Sequence, residues 1–244
     1  MDRLNSNESV ELGNQGTKLP IWKRVLDLAI IVAVSPALLI LGAGVALLVM
    51  CGSPGPVLFR QRRVGYKGRQ FTCYKFRTMH VDADSASHRD HACQLIKSEA
   101  PMTKLDARSD PRLIPLGAAL RATGLDELPQ LINVIRGEMS IVGPRPCIHY
   151  EYELYEPWQR QRFDAVPGLT GLWQVSGKNR TTFDQMIRFD IEYSERLSLW
   201  LDLKIILLTL PALCGQCADI QAERRKQTES VGAGMRKPIE LYRL

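Results

Sequence analysis

Apolar and polar positions are sharply segregated along this chain. Residues 1–17 (MDRLNSNESVELGNQGT) offer little to bury and predict a disordered N-terminal tail, without the apolar core of a signal peptide. The pattern then reverses, and from Leu28 to Met50 no charged residue occurs. As a helix these 23 residues reach roughly 35 Å, against about 30 Å of bilayer hydrocarbon. Ser35-Pro36 lies near the middle, where proline removes one backbone donor and clashes with the carbonyl four residues back. Lys18, Lys23 and Arg24 precede the run, and Arg60, Arg62, Arg63, Lys67 and Arg69 come after it. Positive charge marks the cytoplasmic side of a membrane, and here it flanks both ends. A helix over residues 18–52 that enters the leaflet, breaks at Ser35-Pro36 and returns satisfies both flanks. A single crossing is the competing reading, and hydropathy alone favours it.

Beyond the Ser53-Pro54-Gly55-Pro56 turn, VLFRQRRVGYKGRQFTCYKFRTM alternates apolar with basic residues around a glycine-containing turn, which predicts a β-hairpin with one basic face. Residues 80–110 are polar and irregular. Asp82, Asp84, His88, His91 and Cys93 match no metal-site spacing, so a solvated loop with a short helix is expected. Leu128, Leu131, Ile132 and Ile135 recur at i, i+3, i+4 and i+7, an amphipathic helix ending at Gly137. MSIVGPRP is an apolar run closing in a rigid turn, and VPGLTGLWQVSGKNRTTF reads as loop and short strand. A helix is expected over 182–198. The apolar stretch 199–213, marked by Asp202, Lys204 and Pro211, suits a helix lying along a membrane interface. The fold class is thus α+β: a mostly helical membrane-associated domain, with a re-entrant N-terminal helix, a small hairpin and interfacial amphipathic helices. Residues 53–214 form a cytoplasmic domain with interfacial helices in this reading, and 215–244 a basic C-terminal tail.

At 244 residues with 45% apolar and 24% charged positions, the chain is globular rather than disordered, collagenous or a coiled-coil rod. The net charge of +6 suits an anionic partner: nucleic acid, an acidic membrane surface or a phosphorylated substrate. Six scattered cysteines read as reduced thiols, and Cys214-Gly-Gln-Cys217 lacks the second pair that a zinc site needs.

The densest chemistry lies in Leu125-Asp126-Glu127-Leu128-Pro129-Gln130. Asp126 at a helix start, with glutamate in the first turn and an early proline, is adequately explained as an N-cap. Its neighbours change the balance: Arg112 and Arg121 precede it, Arg136 and Arg145 come after. A carboxylate pair at a helix N-terminus among arginines can hold a metal and phosphates together. Gly143-Pro144-Arg145-Pro146 fixes one guanidinium between prolines, which lowers the entropy lost in holding a phosphate. No P-loop, GxGxxG or zinc signature is present.

Taken in order, several strings resemble the bacterial sugar transferases of the monotopic polyprenol-phosphate phosphoglycosyl transferase family, over about residues 18–214. They are the basic-flanked apolar segment with Ser35-Pro36, Ser53-Pro54-Gly55-Pro56, Tyr74-Lys75-Phe76-Arg77-Thr78-Met79, Asp110-Pro111-Arg112, the Asp126-Glu127 string, Gly143-Pro144-Arg145-Pro146 and Pro167-Gly168-Leu169-Thr170-Gly171. Gly124 stands where the family often has serine, and the 80–110 insert is longer than in small relatives. The resemblance implies a UDP-sugar donor, glucose or galactose, and undecaprenyl phosphate as acceptor. It implies Asp126 as nucleophile forming a covalent phosphosugar, with Glu127 beside it and Asp126 and Glu127 holding Mg²⁺. Lys75, Arg77, Arg112, Arg121, Arg145 and Asp190 are the implied substrate-binding positions. The expected setting is the cytoplasmic face of a bacterial inner membrane rich in anionic lipid, in exopolysaccharide synthesis, with no nucleic acid. Oligomeric state stays open, a homodimer by C-terminal exchange included. Two non-enzymatic alternatives fit the charge, a membrane-anchored basic adaptor and a tethered nucleic-acid binder. A third is a single-pass glycosyltransferase without a covalent intermediate.

Overall fold

The computed structural model describes residues 19–81, 86–98, 100–102, 110, 112–213 and 215. The predicted tails over 1–17 and 215–244, apart from Gly215, lie outside the described residues, as do Asp82, Asp84, the Cys214–Cys217 pair and the side chain of His88. The chain is mostly helical. Helix α1 (Ile21–Gly52) leads to the antiparallel hairpin β1 (Leu58–Val64) and β2 (Gln70–Phe76). Next are α2 (Ala86–Lys97), α3 (Gly117–Thr123), a 3₁₀ turn (Leu125–Gln130), α4 (Leu131–Arg136), β3 (Ser140–Val142) and α5 (His149–Leu154). Then come β4 (Gly168–Thr170), α6 (Leu172–Val175), α7 (Phe183–Glu195) and α8 over residues 199–213.

Helix α1 is long and apolar enough to cross a membrane. It remains helical through Pro36, so the expected break is not an interruption of the helix. Pro36 cannot donate to the Val32 carbonyl, and the Ser35 hydroxyl donates to that carbonyl instead, at 2.9 Å. Both ends of α1 dock on the globular part. Near its start Ile31 packs with Val134 and Met139, and the Arg24 guanidinium donates to the Val134 and Ile135 carbonyls. Near its end Val45 and Val49 join Phe76, Ile114 and Leu120. Between them Val32, Leu39 and Ile40 are exposed.

The predicted hairpin forms with Arg60 and Arg62 on its exposed face. Arg63 instead turns inward and donates to the Pro146 carbonyl. Thr182 and Gln185 cap α7 reciprocally, each side chain bonding the other's backbone N–H. Helix α8 buries Asp202 and Ile205 and exposes Trp200, Leu207 and Leu210.

Two local expectations need correction. Asp126 is not an N-cap: Gly124, in the left-handed region at φ 73°, holds that position with no side-chain cap bond, and Asp126 lies inside the 3₁₀ turn. Pro129 removes a donor within that segment, and the regular helix starts only at Leu131. The buried residues of α4 are Asn133 and Val134, while Ile132 and Ile135 are exposed. The apolar periodicity marks a helix correctly but points to the wrong inner face, because Asn133 is drawn inward by polar bonds. Its Nδ2 donates to the Thr72 carbonyl at 2.7 Å, and its Oδ1 accepts from the Tyr74 amide at 3.3 Å.

Candidate active site

Three segments distant in sequence converge on the carboxylate pair. The 3₁₀ turn carries Asp126 and Glu127 between Leu125 and Leu128, which pack on the Val45, Val49 and Phe76 cluster and so seat the turn over the end of α1. Strand β2, tied to α4 through Asn133, brings up Lys75. The turn after β3 supplies Arg145. That turn approaches β4 too closely for side chains: a Cβ on Gly143 would lie 2.2 Å from the Val166 carbonyl oxygen, and one on Gly168 2.0 Å from the Gly143 nitrogen. The two strands pair in parallel, Ser140 with Gly168 and Val142 with Thr170.

Glu127 Oε1 accepts from Lys75 Nζ at 2.7 Å and lies 3.8 Å from Arg145 Nη1. Burial pushes the Glu127 carboxyl upward. The charges of Lys75, Arg145 and Lys178 outweigh that and hold it far below the usual carboxylate range. Glu127 is therefore an anion at any physiological pH. Asp126 is buried at 8% exposure, yet it lines the same cavity. That cavity, of about 740 Å³, is bordered by Asp126, Glu127, Lys75, Arg121, Arg145 and Lys178, and also by Ile30 and Leu38 of α1 and Ile206, Leu210 and Leu213 of α8 or its end. Carboxylates, cations and apolar side chains of the exposed helices thus share one space.

A second row of residues supports the first. Arg162, 1% exposed, donates to Asp190 Oδ2 at 2.5 Å, to the Arg145 carbonyl at 2.9 Å and to the Tyr155 hydroxyl at 3.0 Å. Burial pushes Asp190 up, to about 6, against the pull of Arg162. Asp190 thus orients Arg162 and, through it, the backbone of Arg145.

Of the sequence-predicted positions, Lys75, Arg121, Asp126, Glu127 and Arg145 come together around the cavity. Arg77, Arg112 and Asp190 are not among its lining residues. Arg77 donates to the Ser53 and Pro54 carbonyls, each at 2.6 Å, and so secures the turn after α1. Arg112 forks onto Asp110, at 2.9 Å from Nε and 2.7 Å from Nη2. Sequence reasoning missed Arg63, Arg162 and Lys178, all of which line the cavity. Arg63 and Arg162 sit among other basic residues with nothing in spacing to distinguish them. Lys178 comes directly after Gly177, and both adopt positive φ, so the Gly-Lys pair was a usable signal.

Among the described residues no group of three or more His, Cys, Asp or Glu side chains is placed to hold a metal. Two adjacent carboxylates in a cation-lined cavity nonetheless suit Mg²⁺, which retains water and shares its shell with substrate phosphates. Lys75 engages Oε1 of Glu127.

Comparison with known proteins is consistent with this arrangement. The family described as bacterial sugar transferase matches residues 19–216. The exopolysaccharide production protein ExoY of Sinorhizobium fredii is 41% identical over 199 residues, 80% of this chain and 86% of that protein. A UDP-glucose:undecaprenyl-phosphate glucose-1-phosphate transferase of Caulobacter vibrioides is 42% identical over 202 residues, 78% of this chain and 69% of the relative. The galactosyl transferase CpsE of Streptococcus agalactiae is 45% identical over 157 residues, 64% of this chain, but the match spans only 34% of that longer protein.

Proposed function

The chain belongs to the bacterial sugar transferase family, and on that premise we propose that it transfers a sugar-1-phosphate from a UDP-sugar to undecaprenyl phosphate, the first membrane step of exopolysaccharide synthesis. The observation that carries this reading is the shared cavity, in which Asp126, Glu127, Lys75 and Arg145 meet apolar residues of α1 and α8. A water-soluble pyrophosphate donor and a lipid-borne phosphate both find chemistry there that suits them.

The reaction runs in two displacements. An Asp126 carboxylate oxygen attacks the β-phosphorus of the UDP-sugar. The bond between that phosphorus and the bridging oxygen breaks, and UMP leaves with the electron pair. A phosphate oxygen of undecaprenyl phosphate then attacks the aspartyl-bound phosphorus, and the Asp126 carboxylate departs. The product is the undecaprenyl diphosphate sugar. Two half-reactions let donor and acceptor use one site in turn. Phosphoryl transfer needs charge neutralisation, which Lys75, Arg121 and Arg145 supply. Glu127, held as an anion, orients Lys75 and Arg145 toward the phosphates. Asp126 and Glu127 would hold Mg²⁺, which neutralises phosphate charge when bound.

With UDP-glucose and UDP-galactose offered separately with undecaprenyl phosphate in nanodiscs, one donor should yield UMP. Release of UDP instead would favour transfer of the sugar alone. Exhaustive EDTA treatment should abolish UMP release and Mg²⁺ restore it. Full activity in EDTA would remove the metal from this scheme.

The site also bears on topology. A straight helix of 32 residues reaches about 48 Å, yet both ends of α1 dock on the same globular part. That supports a re-entrant anchor on the cytoplasmic face, with Ser35 satisfying the carbonyl that Pro36 leaves. Cysteines introduced at Thr17 and at Lys67, with the native cysteines replaced, should both resist an impermeant reagent in intact cells and react after lysis. Labelling at Thr17 from outside would establish a spanning helix instead.

A further inference from the structure

The first turns of α1 carry more polar chemistry than an anchor needs. Asp27 is 1% exposed, and its Oδ1 accepts from the Ser140 hydroxyl and from the Ile141 amide, both at 3.0 Å. Its Oδ2 is buried with no hydrogen-bond partner. Burying a carboxylate with one oxygen unsatisfied is unfavourable, so apolar anchoring alone does not account for an aspartate here. One side of β3 is taken by β4 and its approach, where the Ser140 amide donates to Pro167 and the Gly143 amide to Thr170. The Ile141 amide is bonded to no strand, and Asp27 occupies the place of one.

Strand β3 runs directly into the turn that carries Arg145. Gly143 is in close backbone contact with Val166 and Gly168, so a shift of β3 has little slack in which to dissipate before Arg145. The Arg145 carbonyl is held independently by Arg162. Fixed at the strand by Asp27 and at the turn by Arg162, the Arg145 guanidinium is left beside Glu127.

We propose that Asp27 is a positioning residue for the transfer: by holding Ser140 and Ile141 it sets β3, and so places Arg145, and it makes the site depend on docking of the anchor's first turns. The inference rests on the reaction proposed above. The test uses the full chain in nanodiscs as wild type, Asp27→Ala, Asp27→Asn and Ser140→Ala. It measures hydrogen exchange at the Ile141 amide, thermal stability, and kcat and KM for the UDP-sugar. Loss of two bonds at the strand should lower kcat/KM in Asp27→Ala by roughly tenfold or more, mainly through KM, since Arg145 is placed to hold donor phosphates. Ile141 exchange should rise in parallel. Asp27→Asn keeps Oδ1 as an acceptor and should return most of the activity. Wild-type kcat and KM in folded Asp27→Ala, even with a lower melting temperature, would overturn the proposal, as would Asp27→Asn as defective as Asp27→Ala. Should Asp27→Ala not fold, Ser140→Ala decides: raised KM with faster Ile141 exchange supports the proposal, and wild-type values of both overturn it. A wild type that releases no UMP from any UDP-sugar defeats the reaction scheme instead, and Ile141 exchange then still decides whether Asp27 sets β3.

Discussion

Asp126→Asn should lower sugar-phosphate transfer by about 10³-fold or more, equivalent to ~4 kcal/mol of transition-state stabilisation. The amide is nearly the size of the carboxylate but is a far weaker nucleophile and carries no charge. Asp126 sits in a turn whose leucines are packed on the end of α1, so the substitution should leave the fold intact. Intact-mass measurement separates chemistry from binding. Wild-type protein incubated with UDP-sugar and no undecaprenyl phosphate should gain the mass of one phosphosugar, and Asp126→Asn should gain none. Substantial turnover by the variant would move the nucleophile elsewhere.

A comparably large effect on stability is expected far from the chemistry. Lys23 Nζ donates to Asp202 Oδ2 at 2.5 Å and to the Tyr193 hydroxyl at 2.8 Å, and Tyr193 donates to Asp202 Oδ1 at 2.7 Å. Lys23, Asp202 and Tyr193 are each 1% exposed. Removing one partner strands a buried charge. Asp202→Ala should therefore destabilise the protein by about 3–5 kcal/mol, seen as a thermal transition lowered by roughly 6–20 °C. Replacing both charges with apolar residues, Lys23→Met with Asp202→Leu, should recover most of the loss, because the desolvation that opposed the pair disappears with it. Tyr193 retains an acceptor in the Val142 carbonyl, 3.1 Å away. If the single and double variants melt alike, the pair is not the determinant.

What could be read from the sequence was local. The uncharged run of α1, the hairpin and the α7 helix follow from period, punctuation and charge within short windows. The carboxylate pair stood out because Asp126 and Glu127 are adjacent and arginines lie on both sides of them. Lys75, Arg121 and Arg145 did converge on it. Arg77 and Arg112 satisfied the same motif logic, but their guanidinium groups are engaged by the Ser53 and Pro54 carbonyls and by Asp110. Arg162 and Asp27 were not legible. Their significance lies in which backbone groups they reach across the fold, and nothing in their neighbours signals that. The inner face of α4 was misjudged for a related reason: hydrophobicity ranks Ile132 above Asn133, whereas the amide side chain has specific bonds to make inside.

The Lys23–Asp202 bridge joins residues 179 positions apart, and this orders the events of biogenesis. The anchor leaves the ribosome well before its ionic partner. At about 5–20 residues per second, synthesis of the intervening chain takes roughly 10–35 s. Throughout that interval Lys23 lacks α8, while Asp27 lacks β3 only until Ser140, 113 positions on, has been made. Until Asp202 is made, the Lys23 ammonium must stay where water can solvate it. Any truncation before Asp202 leaves Lys23 without its ionic partner for good.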